Sequence, residues 1–387
     1  MQPTQRIMVL DANQRASLAV VRSLGHHNCH IITADETPSA LAGASRYSKL
    51  YQQYPSPKTQ PDAFIQWLKT AIKRHDIKML IPITEISSQL IVMNKREFAN
   101  CIIPFANIKT IMTLANKWNL VKLAQQCDIP VPETDHYANS AQLSLTDINE
   151  YPVVLKPDVS ELWLGDQWLD TVVHIAHNQQ ELELYLEKPY FKNHSFMVQT
   201  FIPGSGAGIF TLYDSGEPQA YFSHQRLREK PPSGGVSVLS EAKQPSQALL
   251  ESSEKLLKAA NWHGVAMVEY RVTPEGKAYL MEVNTRFWGS LQLAIDAGID
   301  FPWLLYQISM GETPNSALSI REGQRLRWLL GDLDHLYIVM KSSKYSLMQK
   351  LGKLLTFIAL PDGKTKHEVN RLDDLGPALY ELKHYFK

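Results

Sequence analysis

Short apolar runs alternate with amphipathic stretches over the first hundred residues of this 387-residue chain. "RIMVLDA" (6–12), "CHIITAD" (29–35) and "IKMLIPI" (77–83) read as buried strands, while 16–25 and 63–75 carry apolar residues at helical spacing. Strand, helix, strand in that order predicts a βαβ opening and a parallel sheet with crossover helices, ending near residue 110. A helix follows from 111 and halts at Ile129-Pro130 and Val131-Pro132, since a residue before proline disfavours helical backbone.

The pattern then changes. "YPVVLKP" (151–157) reads as a buried strand, "LWLGDQWLD" (162–170) as a polar and aromatic turn or hairpin, and "HNQQELELYLEK" (177–188) as a helix. "SFMVQTFIPGSGAGIFTLY" (195–213) is a strand, a Gly-rich break and a second strand, so 135–205 is expected to form a small α+β unit. Strands at 220–229, 264–273 and 277–287 follow, the last two joined by the turn signal "PEG" into a hairpin. Beyond Gly311, Lys341, Lys344, Lys350 and Lys353 flank "LLTFIAL". That segment suits a basic amphipathic helix on a membrane surface, or a terminal helix docked on the core with solvated lysines.

Composition narrows the classes. Thirty-nine basic and thirty-nine acidic residues leave the chain formally neutral, which argues against a general nucleic-acid binder. No 18 apolar residues follow one another, and the opening "MQPTQRIMVLDANQ" has neither a long apolar core nor a small-residue cleavage site; a soluble cytoplasmic protein is expected. Cys29, Cys101 and Cys127 are scattered with no CxxC, as suits buried thiols in a reducing compartment. "DANQRAS" stands after the first strand in place of GxGxxG, so no dinucleotide cofactor is expected there.

Candidate chemistry centres on "YLMEVNTRFWGSLQLAIDAG" (279–298). Alternation puts Leu280, Glu282, Asn284 and Arg286 on one strand face, with Met281 and Val283 on the other. Glu269 shares a face with Val265 and Met267 on the preceding strand, so pairing brings two carboxylates together. Such a pair calls for a cation, and two carboxylates with an amide carbonyl suit Mg²⁺; the alternative is a hairpin whose polar face meets solvent. Past Arg286 the period becomes helical from Ser290 to Gly298, and amides near Gly289 and Ser290 beside Arg286 favour an anion.

Lys156 ends an apolar strand and needs an anionic partner, whereas Lys117 reads equally as an exposed helical lysine. "VQTFIPG" offers a backbone carbonyl and amide spaced for a purine edge, with Phe201 and Ile202 as walls. In "FSHQRLREKPPSGGVSV", alternation predicts His224, Arg226, Arg228 and Lys230 on one face. Arg226 is a candidate for orienting a substrate carboxylate with help from Gly234, Gly235 or Ser237; a solvated basic face is the alternative. Glu85 reads either as facing an acceptor pocket or as a helix-start acid.

Taken in order, "ANKWNLVKLAQQCDIPVPET", "YPVVLKP", "MVQTFIPG", "GVAMVEY" and "YLMEVNTRFWGSLQLAIDAG" resemble the successive signature segments of the ATP-grasp superfamily. The closing segment is similar to that of its carbamoyl-phosphate-synthase-like, carboxylate-amine ligase type. The resemblance implies a mixed α/β and α+β ATP-grasp fold. It would comprise a Rossmann-like pre-ATP-grasp domain (1–110), an N-terminal part (111–205) with a small mobile lid at about 135–205, a catalytic core (206–310) and a helical extension (311–387).

It implies that Lys117 and Lys156 hold ATP phosphates, that Gln199, Thr200, Phe201 and Ile202 surround adenine, and that Leu280 lies beneath the nucleotide. Glu269, Glu282 and Asn284 would bind two Mg²⁺ ions, which Mn²⁺ could replace, and Arg286 with Lys156 would serve the transferred phosphoryl group. Ser205 and Gly206 stand where such proteins often carry a ribose-binding acid, so the ribose contact is open. Thr285 replaces the usual proline and is expected to face away.

The implied activity is ATP-dependent activation of a small-molecule carboxylate for attack by an amine or thiol, in a chain that forms a homodimer. The alternatives are a nucleotide-binding regulatory or structural protein and a bicarbonate-phosphorylating carboxylase. "EVNTR" is also similar to biotin carboxylase, but "FWGSL" lacks the His-Pro-Val-Thr-Glu continuation that supplies its base.

Overall fold

Arg6–Val9, His30–Asp35 and Met79–Ile81 form the parallel strands that the apolar runs predict, with helices Arg15–His26, Pro61–His75 and Glu85–Met93 around them. The computed structural model describes residues 5–165, 167–314, 318–359 and 363–385; Asp166 and Leu360, within stretches singled out above, lie outside them. A fourth strand, Ser48–Gln53, completes the sheet in the order Ser48–Gln53, His30–Asp35, Arg6–Val9, Met79–Ile81. It is an edge strand without a buried residue, so no apolar alternation announces it.

Where GxGxxG is missing, Asp11 ties the strand ends together. Its buried carboxylate accepts hydrogen bonds from the Ile83 and Thr84 N–H groups (2.8 Å each) and from Ser87 Oγ (2.6 Å). Those contacts fix the start of the helix that opens with Glu85.

The single helix expected from 111 is two, Ile108–Ala115 and Lys117–Gln126. Asn116 divides them, because its Oδ1 accepts from the Asn119 N–H (2.9 Å) and caps a new N-terminus. Lys117 therefore enters the first turn of the second helix at 5% exposure, and not a solvent face.

The small subdomain is an antiparallel sheet ordered Thr134–Tyr137, Phe196–Thr200, Val153–Pro157, His174–Ala176, with helices Gln179–Leu186 and Pro189–Lys192. Leu155, Leu182, Phe191 and Phe196 form its own core. The aromatic stretch is a hairpin, Glu161–Trp163 with Trp168–Asp170, which reaches the first domain through buried Trp168 and a Lys58–Asp170 ion pair.

A seven-stranded sheet carries the remainder, ordered Ala278–Asn284, Gly264–Val272, Ser205–Asp214, Glu217–Lys230, Val236–Lys243, Arg325–Arg327, Thr365–His367. Its last two strands come from the tail, so the expectation of a purely helical extension is corrected. Three-residue strands are too short to show a period. The tail also laces onto the first domain. Buried Arg22 bonds Asp374 (2.9 Å) and the Glu368 and Val369 carbonyls, and Arg15 pairs with Glu368. Removing one partner of such a buried pair typically costs about 3–5 kcal/mol.

Gly204, between the small subdomain and the central sheet, has φ +139°, and a Cβ there would stand 2.1 Å from the Val272 carbonyl oxygen. Gly204→Ala should therefore destabilise by roughly 2–4 kcal/mol in urea denaturation. Gly352→Ala, in a helix with nothing near the added carbon, should stabilise by up to about 1 kcal/mol.

Candidate active site

The two acidic strands pair as the spacing predicts. Glu269 lies opposite Glu282, and Met267 opposite Asn284. Asn284 Nδ2 donates to Glu269 Oε1 (3.0 Å) and Glu282 Oε1 (3.3 Å), and an Arg226 guanidinium nitrogen lies 3.2 Å from Glu269 Oε2. Burial, and then the neighbouring Glu282, push the Glu269 carboxyl up to about 7. A divalent cation relieves that cost as a proton does, and hard oxygen donors suit Mg²⁺ once the Asn284 amide turns its oxygen inward. Among the described residues no group of three or more His, Cys, Asp or Glu gathers. Two carboxylates and one amide, each giving one oxygen, leave half of an octahedron to other ligands.

A cleft of about 730 Å³ opens beside this pair. Val154, Val173, Ile175, Phe201 and Ile202 give it apolar walls, while Lys156, Arg226, Arg271, Glu269 and Glu282 bring charge, and Gly234 and Gly235 line it too. Gln199 and Thr200 also line it; Gln199 lies within the ladder, opposite Val154 and Thr134, with its side-chain Oε1 buried and unpartnered among the described residues.

Leu280 does not reach the cleft. Pairing slips from Glu269 with Glu282 to Tyr270 with Leu280, so Met281 is an extra residue and alternation breaks. Leu280 (2% exposed) packs in the core, and Met281 lines the cleft, its sulfur 3.9 Å from Lys156 Nζ. Burial lowers the Lys156 ammonium to about 8, against the pull of Glu282.

Glu282 also borders a small cavity behind the strand, shared with Glu85, Lys117, Ser160, Asn284 and Arg286. Lys117 Nζ donates to Ser160 Oγ (3.0 Å), and Arg286 bonds the Phe287 carbonyl (3.0 Å) and Asn284 Oδ1 (3.4 Å). Glu85 is both a helix-start acid and a cavity wall, its carboxyl raised by burial and held back by Arg286 and Lys117. Thr285, expected to face away, is buried and lines this cavity.

Known proteins share this architecture. A family model described as "ATP-grasp in the biosynthetic pathway with Ter operon" matches residues 192–331. The crystal structure of an L-amino acid ligase from Bacillus licheniformis superposes with a TM-score of 0.65 at 16% identity, covering 84% of this chain and 79% of that one. The stretch 192–331, which holds the acidic pair, thus resembles the ATP-grasp family.

Biotin carboxylase from Campylobacter jejuni superposes with a TM-score of 0.64 at 15% identity, over 82% of this chain and 74% of that one. In sequence, this chain is 24% identical over 262 residues to a D-aspartate ligase of Enterococcus faecium, 62% of each protein. It is 24% identical over 221 residues to a D-alanine–D-alanine ligase of Aquifex aeolicus, 52% of this chain and 72% of that one. The match thus spans less than two thirds of the D-aspartate ligase.

The basic strand departs from the predicted single face. Its pairing slips between Arg226 and Arg228 and again before Glu229. Arg226 turns to Glu229 and Glu269, whereas Arg228 pairs with fully buried Asp332 (3.0 Å) and Lys230 with Asp334. His224 is buried against Phe210 and bonds Ser290 Oγ (2.8 Å); burial drops it to about 3. Ser237 donates to the Leu239 carbonyl of its own strand and is not among the cleft-lining residues.

Arg271, Ser160 and Met281 join the site without having been singled out in the sequence. Alternation from Glu269 points to Arg271; Ser160 carries no local signal, and Met281 needs the register slip. Buried Cys29 and Cys101 are pushed up to about 11 and about 12, the behaviour of inert core thiols.

Glu282→Gln should move two titrations downward: Lys156 below 8, because an attractive charge is lost, and Glu269 below 7, because a repulsive one is lost. Carbon NMR of methylated lysines and labelled carboxylates reads both.

Proposed function

We propose that this protein is an ATP-dependent ligase that converts a carboxylate to its acyl phosphate, releasing ADP, and lets an amine displace the phosphate. The observation that carries this reading is the Glu269–Glu282 pair, half-buried with Asn284 and ringed by Lys156, Arg226 and Arg286. ATP fits a cleft with apolar walls beside a charged floor: Phe201 and Ile202 flank adenine, Gln199 and Thr200 add polar contacts, and Lys156 and Lys117 meet phosphates. Glu269, Glu282 and Asn284 would hold Mg²⁺, two ions in this reading, which when bound neutralises charge on the phosphates.

A carboxylate is a poor electrophile until phosphorylated. The substrate oxygen attacks the γ-phosphorus, the bond to the β-phosphate oxygen breaks, and ADP leaves with that electron pair. Arg286, its guanidinium steadied by the Phe287 carbonyl, faces the charge developing on the transferred group. Lys156 keeps its proton once an anion is bound beside it, since the anion offsets burial. The amine then attacks the acyl carbon and phosphate departs; closure of 135–205 over the cleft would keep water from the acyl phosphate.

Arg226 would orient the acid, assisted by the Gly234–Gly235 backbone. The related D-aspartate and D-alanine–D-alanine ligases make an amino acid a reasonable first pool on either side of the bond. Among the described residues no helix is long and apolar enough to cross a membrane, and the scattered free thiols are those of a cytoplasmic chain in this reading.

Incubation with Mg-ATP, pooled carboxylates and pooled amines should release ADP, and Glu282→Ala should cut that rate by about a hundredfold or more. ATP binding without ADP formation in any pool would favour a nucleotide-binding module. Arg226→Ala should raise the KM for the acid by about tenfold or more with nucleotide affinity nearly intact. Loss of ATP affinity instead would assign Arg226 to the phosphates through its contact with Glu269.

A further inference from the structure

The helix Leu347–Ile358 presents its apolar side outward. None of its residues is buried, and Leu347, Met348, Leu351, Leu355 and Ile358 are 86%, 78%, 50%, 60% and 64% exposed. At about 100° per residue these five fall within a single sector of roughly 100°. The helix is well formed, with a capping box in which Ser346 and Gln349 bond each other's backbone.

What faces the protein is its other side. Phe357 packs under the Arg327 guanidinium (4.3 Å to the ring centre), and Arg327 donates to the Phe357 carbonyl (2.8 Å). Lys353 and Thr356 line a basic cavity of about 390 Å³ with Arg228, Arg327 and His367. A helix recruited only to cover the core would be docked the opposite way round.

Charge names the occupant. Residues 335–359 contain Lys341, Lys344, Lys350 and Lys353 and no Asp or Glu, although the chain as a whole has 39 residues of each sign. We propose that this helix docks on a bilayer surface bearing anionic phospholipids. Its five apolar side chains enter the acyl boundary, and Lys344 and Lys350 sit among the headgroups. A second copy of the chain would set this acid-free segment against itself, and like charges oppose that pairing. A fluid surface also accepts a convex apolar ridge without a complementary groove.

Sedimentation of the full chain with vesicles tests this independently of any ligase activity. The protein should pellet with phosphatidylcholine–phosphatidylglycerol vesicles, stay in solution with phosphatidylcholine alone, and come off as salt is raised. Leu351→Glu and Leu355→Glu, at exposed positions, should each weaken partition by about tenfold or more with an unchanged circular dichroism spectrum. Lys344→Glu should weaken binding to the anionic vesicles in the same assay. Three results would each overturn the proposal: no pelleting with anionic vesicles, undiminished pelleting of Leu355→Glu, or a shift from dimer to monomer in light scattering of Leu355→Glu. The last would give the face to a second copy.

Discussion

Two carboxylates held opposite one another in a partly desolvated cleft are the constraint around which this protein is built. Left alone, Glu269 and Glu282 repel, and the cost appears as a Glu269 carboxyl driven up to about 7. The neighbouring groups answer that cost. Arg226 lies against Glu269, Asn284 donates to both acids, and Lys156 is held charged by Glu282 against its own burial. None of these groups rests comfortably without the others. The cluster is poised for a ligand that brings both cationic and anionic parts, as a metal–nucleotide does.

The fold supplies rigidity where that cluster needs it. Glu269 and Glu282 sit on neighbouring strands of a seven-stranded sheet, so their separation is set by the backbone ladder and not by loops. The opposing groups arrive from elsewhere: Lys156 from the small subdomain, Lys117 from a capped helix start, and Glu85 from the first domain through the Asp11 contacts. The tail completes the sheet and bonds the first domain through Arg22 and Arg15. It clamps the sheet to the first domain and, on its outward helix, carries a surface with its own chemistry.

Much of this was legible in one dimension. The parallel strands of the first domain, the acidic hairpin and the polar residues at 282, 284 and 286 all follow from period and turn chemistry, because strong local patterns report which face is buried. Legibility failed where a single residue changes register. One extra residue at Met281 moved Leu280 from the cleft into the core, and slips near Arg228 dispersed a basic face that alternation had assembled. It failed also for short or edge strands, such as Ser48–Gln53 and Arg325–Arg327, which carry too little buried surface to leave a pattern.

The sequence by itself determined the kinds of groups available and their order: an acid, an amide and a guanidinium at alternate positions, facing a second acid one strand away. A period of two is a local property of extended backbone, so it can be read without neighbours. Only the tertiary structure decided which groups share a cavity, how far burial shifts Lys156 and Glu269, and which side of the tail helix meets water. Desolvation and bulged pairing depend on what packs from distant parts of the chain, and no local pattern encodes that.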